Sequence, residues 1–156
     1  MPSRYLSIYL NDHLAGATLG VELAARTLRE NEGTELGTTL RPLHAEIVED
    51  RQTLIGLMRE LGIRRSQPKL AAAWAAEKVA RLKPNGALSG YSPLSRVLEL
   101  EGLAAGIAAK RALWLSLAEI DGLEARLDPA ALAERAASQL ERLEPFRRAA
   151  ARVAFG

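Results

Sequence analysis

Apolar residues recur at intervals of three and four along four long stretches of this chain, and this spacing constrains the fold more than any other feature. Leu10, Ala17 and Ala24 repeat every seven residues near the amino terminus, so we expect their side chains to line one face of a helix over residues 4–31. The same spacing predicts further long helices over residues 38–61, 93–121 and 129–153.

Two of these helices carry clear start signals. Ser92-Pro93 and Asp128-Pro129 each place an N-cap residue before a proline, which is favoured at the first helical position. The apolar residues are mostly Ala and Leu, and only seven of the 156 residues are aromatic. This composition favours long helices over a sheet.

The connections between the predicted helices indicate a topology. The links inside the first pair and inside the second pair are short, whereas residues 63–92 separate the pairs and predict a shorter helix containing Leu70, Ala73 and Trp74. Short links join antiparallel neighbours, and one long crossover between two pairs is typical of ferritin-like bundles. We therefore predict a single all-α domain over residues 1–156, an antiparallel four-helix bundle with an extra short helix in the crossover.

The composition also indicates compartment and partners. The chain has no cysteine, which excludes disulfides and thiolate chemistry. Its amino terminus lacks a signal-peptide core and no apolar run is long enough to span a bilayer, so we expect a cytoplasmic protein. Residues 1–62 carry a formal charge of −3 and residues 63–156 carry +5. This asymmetry favours a homo-oligomer or a protein partner, and the basic residues are too dispersed to favour nucleic acid.

A ferritin-like bundle raises the question of a metal site. Di-iron proteins of that topology use Glu-x-x-His on two helices; this chain contains no such motif, and its only histidines are His13 and His44. No cofactor is therefore predicted. The alternative is a degenerate iron or manganese site built around His44 on the second helix, with further candidate carboxylates at Glu22, Glu46, Glu49, Asp50 and Glu101.

Asp50 is the most unusual residue on an apolar face. It occupies an inner position between Leu43 and Leu57, in the middle of its helix. A carboxylate removed from water needs a cationic partner, and Arg111 lies near the middle of the third helix. We hypothesise an Asp50–Arg111 ion pair, with His13 at the same level of the bundle. The pair either fixes helix register or forms part of a small polar pocket.

Two segments resemble a known family. They are residues 9–18, Tyr-Leu-Asn-Asp-His-Leu-Ala-Gly-Ala-Thr, and residues 90–96, Gly-Tyr-Ser-Pro-Leu-Ser-Arg. Both are similar to segments of a family of uncharacterised actinobacterial helical proteins. The resemblance implies a helical bundle in a bacterial cytoplasm, and it implies no catalytic residues.

Three functions remain open. The sequence shows no arrangement of residues that is typical of a catalytic site. This favours a non-catalytic bundle that acts through protein–protein interaction or self-association. A ferritin-like metalloprotein or oxidoreductase with a degenerate site is one alternative. The other is a small-molecule binder at the bundle midplane, where the candidate polar residues are His13, His44, Asp50 and Arg111.

Overall fold

The computed structural model of this chain describes residues 2–66 and 90–156. Within these residues the chain is helical, without a strand. The elements are α1 (Arg4–Glu30), α2 (Glu35–Glu60), α3 (Pro93–Ala118), a 3-10 turn (Leu123–Ala125) and α4 (Pro129–Phe155). These helices confirm the all-α prediction. The predicted short helix with Leu70, Ala73 and Trp74 lies outside the described residues.

The predicted helix starts of α3 and α4 are confirmed by their caps. The Ser92 hydroxyl accepts a hydrogen bond from the backbone N–H of Ser95 at 3.0 Å. The Asp128 carboxylate accepts one from the N–H of Ala131 at 3.0 Å. Each cap satisfies an N–H that has no partner inside its own helix.

Helix α2 begins three residues earlier than the apolar pattern predicts. Thr34 is its N-cap, and the Thr34 hydroxyl accepts from the N–H of Gly37 at 3.1 Å. Gly33 precedes the cap with a φ of +77°, which allows the sharp turn out of α1. Gly37 then lies directly against the backbone of Asn31. The turn is therefore compact, and a side chain at position 37 would not fit.

The apolar core is divided into two clusters along the length of the bundle. One cluster joins all four helices near the α1–α2 turn, and its buried members include Ala24, Leu40, Ile47, Leu100, Ile107, Ala136 and Leu143. The other lies towards the opposite end and includes Leu10, Leu54, Leu57, Met58, Leu113, Trp114, Leu117 and Ala133. Between the clusters, α2, α3 and α4 contribute the polar residues Asp50, Lys110 and Arg135, and α1 contributes small residues together with Leu19.

Each helix packs on two others. Helix α1 contacts α2 and α3, and α4 contacts α3 most extensively and α2 less so. The Tyr9 hydroxyl donates to the Ser116 hydroxyl at 3.3 Å near one end of the bundle. Arg26 Nε lies 2.9 Å from a carboxylate oxygen of Glu99 towards the other end. The start of α1 therefore lies beside the end of α3. None of the helices within residues 2–66 and 90–156 is long and apolar enough to cross a membrane.

Two asparagines of α1 hold the chain segments that leave α2 and enter α3. The Asn11 side chain donates to the carbonyl oxygen of Arg64 at 3.2 Å and accepts from the N–H of Ser66 at 2.8 Å. The amide of Asn31, at the end of α1, donates to the Tyr91 hydroxyl at 3.1 Å. Asn11 lies in residues 9–18 and Tyr91 in residues 90–96, so each of these two segments contributes a hydrogen bond between parts of the chain that are distant in sequence.

Gly37→Ala tests the packing of the α1–α2 turn. A Cβ at position 37 would collide with the carbonyl oxygen of Asn31, and we expect it to lower the free energy of unfolding by about 1–3 kcal/mol. Gly56→Ala is the matched control on the same helix, since a Cβ there meets no atom within 4 Å; it should raise the free energy of unfolding by about 0.5–1 kcal/mol. Urea titration followed by circular dichroism measures both, and equal effects of the two substitutions would contradict the close approach.

Candidate functional site

A layer of polar side chains separates the two apolar clusters at the midplane of the bundle. Asp50 of α2 lies between Ile47 of one cluster and Leu54 of the other, and Arg135 of α4 lies likewise between Ala136 and Ala133. Gln139 lies one turn further along α4, between Ala136 and Leu143 of the first cluster. Lys110 supplies the α3 position. At the same level, α1 places the small residues Gly16, Ala17 and Gly20, with Leu19 among them. We call Asp50, Lys110, Arg135 and Gln139, together with Glu46, Glu49 and Arg142 at their edge, the midplane network.

Asp50 is the centre of the midplane network. Its side chain is 2% exposed, and one carboxylate oxygen accepts from Lys110 Nζ at 2.5 Å. The other oxygen pairs with the guanidinium of Arg135. Gln139 links both partners, because its amide oxygen accepts from Lys110 at 2.5 Å and its amide nitrogen donates to Asp50 at 3.2 Å. The buried carboxylate is therefore fully partnered by two cations and an amide.

The network continues to the surface along α2 and α4. Gln139 also donates to Glu46 at 3.0 Å, and Glu46 holds Arg142 through two hydrogen bonds of 3.0 and 2.5 Å. Glu49 lies 3.3 Å from Arg135. The midplane network thus contains three acidic and three basic groups, so its formal charge is zero.

The network shifts the titration of its members. Burial lowers the pKa of Lys110, although the negative charge of Asp50 opposes that shift. Burial would raise the pKa of Glu46, but hydrogen bonds from Arg142 and Gln139 outweigh it and the pKa is lowered. Both effects follow from the same geometry, because a low-dielectric interior penalises charge and a close opposite charge restores it.

The predicted Asp50–Arg111 pair is wrong. Arg111 is exposed, and the cations on Asp50 are Lys110 and Arg135. One residue along a helix turns a side chain by about 100°, so the inner position belongs to Lys110 and its neighbour faces outward. The prediction of a cationic partner for Asp50 on α3 was right, and only its residue was misassigned.

Arg135 and Gln139 are the network members that sequence reasoning missed. Gln139 occupies an inner position between Ala136 and Leu143. The sequence alone therefore shows it as a polar residue on an apolar helix face, and this pattern could have identified it. Arg135 is half-buried and reaches Asp50 from a flanking position, which periodicity alone does not indicate. His44 is half-buried on α2 and has no role in the network.

A cavity of about 410 Å³ lies beside the network. It is lined by α1, α2 and α3, and nearly all of its wall is apolar or glycine. Helix α1 contributes Gly16, Ala17 and Gly20, while Gly102 and Gly106 of α3 are exposed at its edge. Leu19 and Leu23 of α1 also line the cavity, and the small residues on both helices leave the rest of the space unfilled. We call this cavity the midplane groove.

The predicted candidates His13 and Asp50 both line the midplane groove. The ring of His13 packs edge-on against Tyr9, with 4.5 Å between ring centroids. Burial lowers the pKa of His13 despite the nearby charge of Asp12, so the imidazole is neutral at pH 7. His13 thus contributes a neutral polar group to the groove and lies outside the midplane network.

A second polar cluster lies at the end of the bundle where α1 ends and α3 begins. Glu99 is fully buried and pairs with Arg26 at 2.9 Å without hydrogen-bond geometry. Burial raises the pKa of Glu99 and raises that of Tyr91 to about 12. Arg96 lies over the Tyr91 ring, 5.5 Å from its centroid. Sequence reasoning missed this cluster, because Glu99 sits between buried Val97 and Leu100 in an otherwise apolar segment.

Three of the five carboxylates considered as metal ligands, those on α2, pair with cations of the protein instead. Glu46 holds Arg142, Glu49 lies against Arg135, and Asp50 takes Lys110 and Arg135. In the part of the chain that the structure describes, no three His, Cys, Asp or Glu residues group as a metal ion would need. The iron or manganese site stays a prediction without support from this geometry.

Comparison with known proteins identifies no relative of this chain. No family model, curated protein or solved structure matches this chain.

Asp50→Ala tests the network. It leaves the cations of Lys110 and Arg135 without their buried counter-charge, and we expect it to lower the free energy of unfolding by about 3–5 kcal/mol. Glu49→Ala, one residue away, should cost about 1 kcal/mol or less because Glu49 is 68% exposed. Chemical denaturation measures both. Adding Lys110→Met to Asp50→Ala should recover part of the loss, and a loss no larger than that of Glu49→Ala would contradict the central role of Asp50.

Proposed function

We propose that this protein binds a small, mostly apolar molecule in the midplane groove. The observation that carries the proposal is a cavity of about 410 Å³ with predominantly apolar walls, bordered by His13, Asp50 and Lys110. Ligand sites are commonly cavities of about 300–1,000 Å³ that combine an apolar lining with a few polar groups. The groove meets both conditions.

The network supports this role by holding the groove open. Lys110 and Asp50 connect α3 to α2, and Gln139 connects both to α4. At this level Gly16, Ala17 and Gly20 of α1 leave space against α3, and the neighbouring Leu19 and Leu23 line that space without filling it. An apolar cavity left empty forgoes contacts that a packed core would make. A ligand that fills it restores those contacts, so binding requires no covalent step.

An uncharged fluorescent probe tests the proposal. N-phenyl-1-naphthylamine should bind with one-to-one saturation and quench Trp114, which lines the groove. The measurement is made in a Trp74→Phe background, because the chain has two tryptophans. Gly106→Leu places a large side chain at the groove edge and should weaken binding at least about tenfold, equivalent to about 1.4 kcal/mol.

Gly56→Leu is the matched control for that experiment. Gly56 is also helical and has no atom within 4 Å of a built Cβ, but it does not line the groove. We expect this variant to bind the probe like the parent. Equal binding by the Gly106 and Gly56 variants, or no saturable binding at all, would contradict the proposed function.

We also propose that the chain forms a single antiparallel domain with ferritin-like connectivity. The pairs Tyr9–Ser116 and Arg26–Glu99 support opposite directions for α1 and α3. The pairs Glu46–Arg142 and Glu60–Arg126 support opposite directions for α2 and α4. The bacterial, cytoplasmic setting remains a proposal from the sequence.

Self-association is a second candidate, favoured by an apolar patch at one end of the bundle. Tyr5 and Ile8 of α1 are 82% and 48% exposed, and Leu115 of α3 is 44% exposed. The Tyr9–Ser116 hydrogen bond brings these two helix segments side by side. Exposed apolar side chains that lie together favour a protein interface, and the occupant we propose is a second copy of the chain.

Light scattering across a concentration series tests this candidate. A dimer should form in the parent protein, and Ile8→Ser should shift the dimer–monomer midpoint to at least about tenfold higher concentration, since it removes apolar area from the contact. Val153→Ser is the control, because Val153 is 68% exposed and its neighbours Ala150 and Ala154 pack in the other apolar cluster, away from the one that Tyr9 joins. A monomer at every concentration would remove the second candidate and leave ligand binding untouched.

A further inference from the structure

Arg51 is the cation in the midplane groove that lacks an acidic partner. It is half-buried and lines the groove. Its Nε donates to the Thr18 hydroxyl at 3.0 Å, and that hydroxyl donates onward to the carbonyl of Leu14 at 3.0 Å. The guanidinium is therefore positioned between α2 and α1 by a neutral acceptor. Among the described residues no carboxylate pairs with it, in contrast to Arg26, Lys110, Arg126, Arg135, Arg142 and Arg147.

Trp114 provides a second unmatched donor in the same groove. Its side chain is 1% exposed and borders the cavity. The indole N–H is buried and has no hydrogen-bond partner among the described residues. A buried N–H without an acceptor costs free energy, and most such groups in proteins find a partner. Two groups that border the groove, the Arg51 guanidinium and the Trp114 N–H, therefore lack a matching partner among the described residues.

The acid that lines the groove cannot neutralise Arg51. Asp50 is already bonded to Lys110 and Arg135, and the wider midplane network balances its own charges. His13 is neutral at pH 7, since burial lowers its pKa. The groove is left with one positive charge in excess, that of Arg51. This surplus suits a single negative charge on a ligand, and a phosphate dianion would require further free cations.

We propose that the ligand of the midplane groove is an amphipathic carboxylate. Its carboxylate pairs with the Arg51 guanidinium, and its aliphatic or aromatic body fills the apolar space between α1 and α3. The planar guanidinium matches a carboxylate through two parallel hydrogen bonds, and Nη1 and Nη2 of Arg51 are left for this contact once Nε has bonded to Thr18. The assignment rests on the proposed function, because it names the ligand class of the same groove.

Three probes with the same apolar body test the assignment. Decanoate, decanol and decylamine are titrated at pH 7.5 into the full chain with Trp74→Phe, with Trp114 emission and displacement of N-phenyl-1-naphthylamine as readouts. We expect decanoate to bind at least about tenfold more tightly than decanol, and decylamine to bind more weakly than decanol. The alcohol measures the contribution of the apolar body without charge.

Arg51→Met isolates the role of the guanidinium. It keeps an apolar stem of similar length, so decanol should bind as it does to the parent, while decanoate should lose its advantage and bind within about twofold of decanol. Arg41→Met is the matched control, because Arg41 is an exposed arginine of the same helix outside the groove. It should leave the preference for decanoate unchanged.

The outcomes separate this inference from the proposed function. If all three probes bind the parent with similar affinity, or if Arg51→Met keeps the preference for decanoate, the carboxylate assignment is overturned and groove binding stands. If no probe binds and the naphthylamine also fails to bind, the proposed function fails with it. Should Arg51→Met not fold, the ranking of the three probes on the parent protein decides the question.

Discussion

A buried carboxylate at the middle of the bundle sets the conditions for everything around it. Asp50 has lost its contact with water and is stabilised only if cations reach it in good geometry. Lys110 from α3 and Arg135 from α4 do so, and Gln139 bonds to both Lys110 and Asp50. This arrangement fixes the relative heights of α2, α3 and α4. A shift of one helix by a turn would leave a charge buried without its partner.

Helix α1 takes no direct part in this arrangement of charges. At the level of Asp50, α1 presents Gly16, Ala17 and Gly20, and a cavity remains beside them although Leu19 and Leu23 also line it. The polar layer lies on α2, α3 and α4, whereas α1 contributes mainly small residues. The bundle therefore has a packed side and an open side. The open side is the midplane groove, and the Thr18–Arg51 hydrogen bond spans its boundary between α1 and α2. The network and the groove are therefore two results of one pattern.

Much of the fold was readable from the sequence, and the site was readable in part. Helical periodicity and cap residues such as Ser92 and Asp128 are local signals, so they predict elements well. Asp50 was found because a charge on an apolar face conflicts with that periodicity. The identity of its partners depends on rotation of α3 and on a long side chain from α4, as with Arg135. Both depend on how the helices pack against one another, and no local pattern in a single sequence indicates that packing.

The division of the core into two clusters has a consequence for how the molecule opens. Leu40 and Leu100 belong to one cluster, and Leu54 and Leu113 belong to the other. Apolar contacts join residues within each cluster, while the layer between them is held by charges and amides. Proteins commonly open in cooperative units smaller than the whole. The midplane is the natural boundary between two such units, so one end of the bundle can loosen while the ion pairs at the centre keep the other end intact.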